Sequence, residues 1–228
     1  MQGKLFGVGV GPGDPELMTL KSVRIIKEAD VVVLPGAVGE NTVAYKIALG
    51  SCPFLPEKEM ISIDMPMTKD PEKRKLSHEN ATNIVKELLD SGKNVAFLTL
   101  GDPTVYATYI YVHKNIANMG YETEIISGIT SFCAAAARLN VGLVEKDEIL
   151  HVIPASYGVE EALTYSGTKV LMKAASKMKD VKEKLIESGA NVQMVENCGM
   201  PNENIYTDAT EIPDKSSYYS LIVVKETI

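Results

Sequence analysis

The sequence predicts an α/β protein, and three observations favour that fold class. First, residues 5–10 lead into a glycine-rich turn, and residues 16–29 then carry apolar side chains at helical spacing. Second, the apolar run at 31–34 is closed by Pro35-Gly36, as is typical of a strand buried on both faces. Third, this order of strand, turn and helix recurs along 228 residues that are 45% hydrophobic, enough for one large domain or two small ones.

The first helix is expected to follow Asp14, whose side chain can cap it, with Pro15 at the first helical position. The same criteria predict helices at 42–49, 78–91 and 106–119, strands at 59–63 and 94–100, and a polar surface loop at 66–74. In the second half they predict strands at 122–126, 148–154, 168–173, 191–196 and 220–225, and helices at 131–139, 159–165 and 178–188. Because the rhythm changes after Gly120, we expect two domains, residues 1–119 and 120–228.

Composition excludes several classes of protein. The 30 acidic and 23 basic side chains give a net charge of -7, which offers no general attraction to nucleic acid or to an anionic membrane. Cys52, Cys133 and Cys198 form no CxxC pair, so neither a disulfide framework nor a cysteine zinc site is expected. No apolar run approaches the ~20 residues of a membrane-spanning helix, and residues 1–13 do not resemble a signal peptide. We therefore expect a cytoplasmic protein without a metal centre.

The glycine-rich segment at 7–13 follows a strand and precedes a helix, as a dinucleotide-binding turn does. Its register fails, however, because counting GxGxxG from Gly7 places Pro12 at the third glycine, and counting from Gly9 places Asp14 there. Pro12 also removes an N–H that a pyrophosphate would need, and Asp14 adds negative charge. A dinucleotide site is therefore the least favoured of three interpretations, the others being a tight turn without a ligand and a loop shaped for another ligand at the carboxyl ends of the strands.

Two further loops follow predicted strands at the same sheet edge. Residues 98–106 contain Gly101, which lets a ligand approach the backbone, and Asp102, which offers a carboxylate acceptor. Residues 126–131 contain Thr130 and Ser131, whose hydroxyls can bind a ligand or cap the next helix. An ordinary turn or cap would explain each loop alone, but three such loops in this order and spacing predict a ligand site.

Together these segments resemble the tetrapyrrole methylases, the C-methyltransferases of sirohaem and cobalamin synthesis. The resemblance covers nearly the whole chain and rests on GVGVGPGDPELMTLKS at 7–22, ADVV at 29–32, GDP at 101–103 with Tyr106, and GITS at 128–131. Within the family, the stretches most similar to the methylases of C20 in precorrin-2 or cobalt-factor II are 64–70, 97–108, 148–155, 168–173 and 196–201. One residue departs from the family pattern, since Ser127 stands where proline usually precedes the third-loop glycine.

The resemblance implies two α/β domains that bind S-adenosylmethionine in the cleft between them and that usually pair as a homodimer. It places the cofactor against Val10, Gly101, Asp102, Val105, Tyr106, Thr130, Ser131, Met172, Lys173, Cys198 and Gly199. The first loop is expected to face a small-molecule tetrapyrrole substrate through Pro12, Gly13 and Asp14. Because that substrate carries several carboxylates, local positive charge is expected from Lys21, Lys173 and Lys177.

No catalytic residue is predicted from the sequence. His78, His113 and His151 are scattered, and no Ser/His/Asp pattern is evident. Methyl transfer from a sulfonium to an electron-rich carbon depends on positioning and exclusion of water more than on a strong base. Two alternatives are kept: a methylase of another position on a corrinoid or sirohaem precursor, and a nucleotide-binding regulatory module without turnover.

Overall fold

The computed structural model describes residues 2–36, 41–66, 68, 70–155 and 159–226. The chain divides into two compact units, Met1–Thr130 and Ser131–Ile228, each built on a five-stranded sheet with helices, so the predicted α/β class is confirmed. The division follows Thr130, whereas the sequence suggested a boundary between residues 119 and 120. The difference arises because strand β5, Thr123–Ile126, pairs in parallel with strand β1, Leu5–Gly9, and so belongs to the first unit.

The sheet of the first unit is entirely parallel, in the order β3-β2-β4-β1-β5. Besides β1 and β5 it contains β2, Val31–Pro35, β3, Glu59–Ile63, and β4, Val95–Thr99. The five predicted strands agree with these bounds to within one residue. Because parallel strands end at a shared edge, the loops after β4, β1 and β5 leave the sheet side by side.

The helices of the first unit cover both faces of this sheet. They are α1, Leu20–Glu28, α2, Val43–Ser51, α3, Pro71–Asp90, and α4, Tyr109–Asn118. Val32 and Leu98 pack in one core with α1 and α2, while Val33 and Phe97 pack in another with α3 and α4. Alternate residues of each strand thus enter different cores, which explains the continuous apolar runs in the sequence.

The predicted start of the first helix is wrong. Asp14 caps only a single 3-10 turn, Pro15–Leu17, by accepting a hydrogen bond from Glu16 N–H at 2.9 Å. The chain then becomes extended, and α1 begins at Leu20 because the Thr19 side chain accepts from Ser22 N–H.

Helix α3 also begins earlier than predicted. Residues 66–74 were expected to form a loop, of which residues 67 and 69 lie outside the described residues, but the helix starts at Pro71. The Asp70 side chain accepts from Glu72 N–H at 3.0 Å and Lys73 N–H at 3.3 Å, and proline fits the first helical position. The polar composition of this segment therefore belongs to an exposed helical turn.

The second unit has a mixed sheet in the order β6-β7-β10-β8-β9, in which only β6 and β7 are parallel neighbours. Its strands are β6, Leu150–Pro154, β7, Thr168–Met172, β8, Asn191–Glu196, β9, Asn204–Tyr206, and β10, Ser220–Lys225. Its helices are α5, Ser131–Leu139, α6, Glu160–Leu163, and α7, Met178–Ser188. The sequence did not indicate β9, which is only three residues long. Among the described residues of either unit, no helix combines the length and apolar character needed to cross a bilayer.

Candidate functional site

Three loops meet at the carboxyl edge of the first sheet: the first loop at 10–14, the second at 100–106 and the third at 127–130. Gly11 and Gly101 join the first two by an antiparallel bridge, in which Gly101 N–H donates to Gly11 O at 2.8 Å and Gly11 N–H donates back at 3.3 Å. Val10 N–H donates to Thr99 O at 2.9 Å. Val10 is fully buried, main chain included, and its contact with a ligand stays a prediction.

Glycines let these loops touch main chain to main chain. A Cβ atom on Gly9 would lie 2.6 Å from Gly128 N, and a Cβ on Gly128 would lie 2.1 Å from Gly101 O. Real Cβ atoms do not tolerate such distances from backbone atoms. At Gly101, by contrast, a Cβ would lie 3.8 Å from the Ile129 carbonyl oxygen, an ordinary van der Waals distance, and the positive φ of 68° favours glycine there.

Asp102 links the second loop to the third. It is 7% exposed; its Oδ1 accepts from Thr104 N–H at 2.8 Å and its Oδ2 accepts from Gly128 N–H at 2.9 Å. A carboxylate suits this position because it only accepts hydrogen bonds and both neighbours are donors. The predicted cofactor residue thus has a visible structural role, in holding the third loop beside the second.

Two hydroxyl groups at this edge are buried without a hydrogen-bond partner in the described part of the chain, Thr99 Oγ1 at the end of β4 and Thr130 Oγ1 in the third loop. Buried polar atoms in native proteins are normally paired, so these two hydroxyls are available to hydrogen-bond to a ligand at this edge. Thr130 was predicted from the sequence, whereas Thr99 was not, because a threonine within an apolar strand carries no special signal. Ser131 opens α5 directly after this loop.

Strained backbone also marks the predicted site. Tyr106 has a positive φ of 50° and is 50% exposed, and it follows Val105, whose N–H donates to Asp102 O at 3.2 Å. Of the five described non-glycine residues with positive φ, three lie in or beside predicted site loops, namely Tyr106, Lys173 and Asn197. Such conformations persist where the surroundings enforce them and are frequent at functional sites.

The substrate-facing residues predicted in the first loop are mostly inaccessible. Pro12 and Gly13 are buried, and the Asp14 carboxylate is engaged by Glu16 N–H. Lys21 Nζ lies 2.7 Å from Glu124 Oε1, and this bond, together with one from Lys4, lowers the pKa of Glu124 to about 2. Lys21 would have to leave this ion pair to bind a substrate carboxylate.

The predicted residues of the second unit share one edge of its sheet. Met172, the last residue of β7, pairs with Leu221 of β10, and Glu196, the last residue of β8, pairs with the adjacent Ser220. The turns that follow β7 and β8, with Lys173 and with Cys198-Gly199, therefore leave the sheet at the same edge. Burial lowers the pKa of Lys173. Lys177 is exposed at the start of α7, four positions after Lys173.

The turn at Cys198-Gly199 is held by a pair of charged residues that the sequence did not reveal. Glu203 Oε2 accepts from Gly199 N–H at 2.7 Å, and Glu203 Oε1 accepts from Arg138 Nε of α5. The hydrogen bond with Glu203 raises the pKa of Arg138. Because Arg138 and Glu203 are 65 positions apart, only the fold brings them together.

The three histidines each contact a residue that does not belong to the three loops. His113 Nδ1 lies 3.1 Å from the Tyr109 hydroxyl, His151 Nε2 lies 2.9 Å from Ser166 O, and the His78 ring stacks on Tyr111 with centroids 4.5 Å apart. In the described ranges no three His, Cys, Asp or Glu side chains are grouped closely enough to hold a metal ion.

The fold and loops described above define an α/β protein with a candidate ligand site at one sheet edge. The model of the tetrapyrrole (corrin/porphyrin) methylases matches residues 4–213, so the chain belongs to this family. Its relatives include a probable cobalt-precorrin-2 C(20)-methyltransferase of Methanocaldococcus jannaschii, 38% identical over 80% of this chain and 75% of that protein. The precorrin-2 C(20)-methyltransferase of a Sinorhizobium species is 29% identical over 97% and 95%, and the cobalt-precorrin-2 C(20)-methyltransferase of Salmonella typhimurium is 30% identical over 99% and 98%.

Solved structures share the fold at lower identity. A cobalt precorrin-4 methyltransferase superposes with a TM-score of 0.76 at 21% identity, over 97% of this chain and 94% of that one. A uroporphyrin-III C-methyltransferase of Thermus thermophilus, in complex with S-adenosylhomocysteine, gives 0.69 at 22% identity, over 98% of both chains. These likenesses confirm the fold class predicted from the sequence.

Proposed function

We propose that this protein is an S-adenosylmethionine-dependent C-methyltransferase that methylates C20 of precorrin-2 or cobalt-factor II in cobalamin biosynthesis. The family supplies the reaction class, and the relatives at 29–38% identity over most of the chain supply the position on the macrocycle. The observation that carries the proposal in the molecule itself is the loop cluster of the first unit, with its two buried and unpaired hydroxyls.

The residues of this loop cluster fit S-adenosylmethionine, which supplies an electrophilic methyl group on its sulfonium when bound. Thr99 and Thr130 can hydrogen-bond to polar groups of such a ligand, and the absence of a side chain at Gly101 lets it approach the backbone. The half-exposed ring of Tyr106 offers apolar surface. Asp102 contributes by fixing the third loop, which carries Thr130.

The proposal extends to the edge loops of the second unit, with Met172, Lys173, Cys198 and Gly199 as further cofactor contacts. The strained backbone at Lys173 and the bond from Gly199 N–H to Glu203 support it, because both features fix a turn in one conformation. The first-loop residues Pro12, Gly13 and Asp14, with Lys21 and Lys177, are proposed to lie towards the tetrapyrrole.

The work of the protein in this reaction is positioning and exclusion of water. A reduced tetrapyrrole has an electron-rich meso carbon, and fixing such an acceptor in line with a methyl donor can contribute about 7–11 kcal/mol in favourable cases. Neither the second-loop carboxylate, which is engaged by two N–H groups, nor the three histidines is assigned as a base.

We further propose a cytoplasmic homodimer that does not bind nucleic acid. The scattered cysteines suit a reducing compartment, and the net charge of -7 disfavours nucleic acid. Light scattering coupled to size-exclusion chromatography measures the oligomeric state directly.

The proposed reaction is tested by an anaerobic assay with S-adenosylmethionine and either cobalt-factor II or metal-free precorrin-2. The absorbance spectrum and product mass are followed, and reactions without S-adenosylmethionine are the control. Gain of a single methyl group on at least one substrate is expected, and the faster substrate identifies the pathway branch. If the protein binds S-adenosylhomocysteine but methylates neither substrate, its methyl acceptor must be a different molecule.

A further inference from the structure

The first half of helix α3 projects beyond the core of the first unit. Its fully buried residues begin only at Ala81, while residues 71–80 are exposed or half-buried. Ten helical residues span about 15 Å. Because α3 follows β3 in a parallel sheet, this projecting half lies at the same edge of the sheet as the three loops.

Helix α4 starts at this edge as well and lies beside α3. The ring of His78 stacks on that of Tyr111 at an interplanar angle of 14°, and one turn further along both helices Asn115 Nδ2 donates to Thr82 Oγ1 at 3.1 Å. The two helices therefore run in the same direction, and between their first turns they leave a groove of about 440 Å³. A volume of this size lies within the range of small-molecule sites.

The charged groups of the groove favour an anion. Arg74 and Lys75 line it together with one acid, Glu79, which lies 3.8 Å from Lys75 Nζ. Within the described ranges Arg74 has no ion-pair partner. The pKa of His78 is lowered, mainly by burial and further by the positive charge of Arg74. The Arg74 guanidinium therefore lies close enough to the His78 ring to affect its protonation.

We propose that the groove between α3 and α4 binds the carboxylate side chains along one side of the tetrapyrrole substrate, with Arg74 as the principal anion-binding residue. This inference rests on the proposed function, since it assumes a macrocycle with acidic side chains. A guanidinium can bind a carboxylate through two parallel hydrogen bonds. The stacked rings of His78 and Tyr111 provide an apolar wall beside it, with Tyr111 half exposed.

Arg74 adds to the positive charge that Lys21 and Lys177 are proposed to offer the substrate. A polyacidic substrate must find local positive charge on a protein whose net charge is -7. Of the lysines predicted for this role, Lys21 is already paired with Glu124. Arg74 lies at the sheet edge that carries the three loops, and no described carboxylate is paired with it. It can therefore bind a carboxylate of the substrate.

The test compares Arg74→Gln with Lys73→Gln in the full chain. Lys73 is the matched control because it is exposed on the same turn of α3, lies 4.0 Å from Asp70 and does not line the groove. A charged hydrogen bond contributes about 1.5–3 kcal/mol. Its loss therefore corresponds to an increase of about 10-fold or more in KM for the tetrapyrrole. KM for S-adenosylmethionine should stay unchanged in both variants.

A second measurement does not depend on turnover. Fluorescence titration with uroporphyrin, a stable polycarboxylic porphyrin, should give a Kd that is about 10-fold higher for Arg74→Gln, while Lys73→Gln resembles the wild type. Equal values for the two variants would overturn the inference. A change in oligomeric state on Arg74→Gln, with the porphyrin Kd unchanged, would likewise overturn it and assign the groove to a second copy of the chain. If wild-type protein methylates no tetrapyrrole, the proposed function fails, and the porphyrin titration still tests the groove.

Discussion

Replacing Asp102 by asparagine should release one of the loops at the proposed cofactor site. In the wild type the two carboxylate oxygens accept from Thr104 N–H and Gly128 N–H, at 2.8 Å and 2.9 Å. An asparagine side chain has the same shape but only one accepting oxygen. Whichever way its amide is oriented, one of the two backbone N–H groups faces an NH2 group and loses its acceptor.

The size of the effect follows from the burial of the site. Asp102 is 7% exposed, so water does not readily replace the missing acceptor. A buried donor that loses its partner costs about 1–3 kcal/mol. If this cost destabilises the closed loop relative to its locally opened form, the affected amide should exchange its hydrogen roughly 5 to 150 times faster.

Hydrogen exchange of Thr104 and Gly128, measured residue by residue by NMR, provides the assay. Thr104→Val is the control, because it removes the hydroxyl that also donates to Asp102 but keeps both backbone bonds. Exchange at wild-type rates for both amides in Asp102→Asn would refute the reasoning. The affinity for S-adenosylhomocysteine should fall by no more than the same factor, and a larger loss would mean that Asp102 contacts the ligand directly.

Two further predictions concern the loop glycine and the ion pair. Gly128→Ala places a Cβ 2.1 Å from a carbonyl oxygen, so it should lower the melting temperature and weaken S-adenosylhomocysteine binding measured by calorimetry. Gly142→Ala is the control and should change neither, because its Cβ would meet only a flexible side chain, at 3.9 Å. The pKa of Glu124 is depressed to about 2, so its contribution to stability is complete above the ordinary value of 4.5 and is lost as the pH falls through 2. An NMR titration should find this midpoint and an upward shift in Lys21→Gln; the same midpoint in both proteins would contradict the assignment.

The sequence predicted the five strands of the first sheet because local patterns determine them, although it assigned β5 to the second domain. The run at 31–34 is apolar throughout since both faces of β2 are covered, and glycine and proline close it. Once the strands are parallel, the loops at Gly11, Gly101 and Gly128 must lie at one edge, as observed. Order along the chain was therefore sufficient to bring these loops together.

Contacts over long sequence distances could not be predicted in the same way. The role of Asp102 depends on Gly128, 26 positions later, and the pairing of Arg138 with Glu203 depends on packing in the second unit. Residues 66–74, which include the first turn of α3, were predicted to form a loop because they are polar and contain proline. That pattern reflects a helix without a core to cover, which the sequence alone does not distinguish from a surface loop.

The most direct test of the account locates the transferred methyl group. The protein is incubated anaerobically with S-adenosylmethionine labelled with carbon-13 on its methyl group, and with the preferred tetrapyrrole, and the product is examined by NMR. The account predicts a single labelled methyl bonded to C20. A label at any other carbon would contradict the proposed position while keeping the family and fold, and an unlabelled macrocycle would contradict the proposed reaction itself.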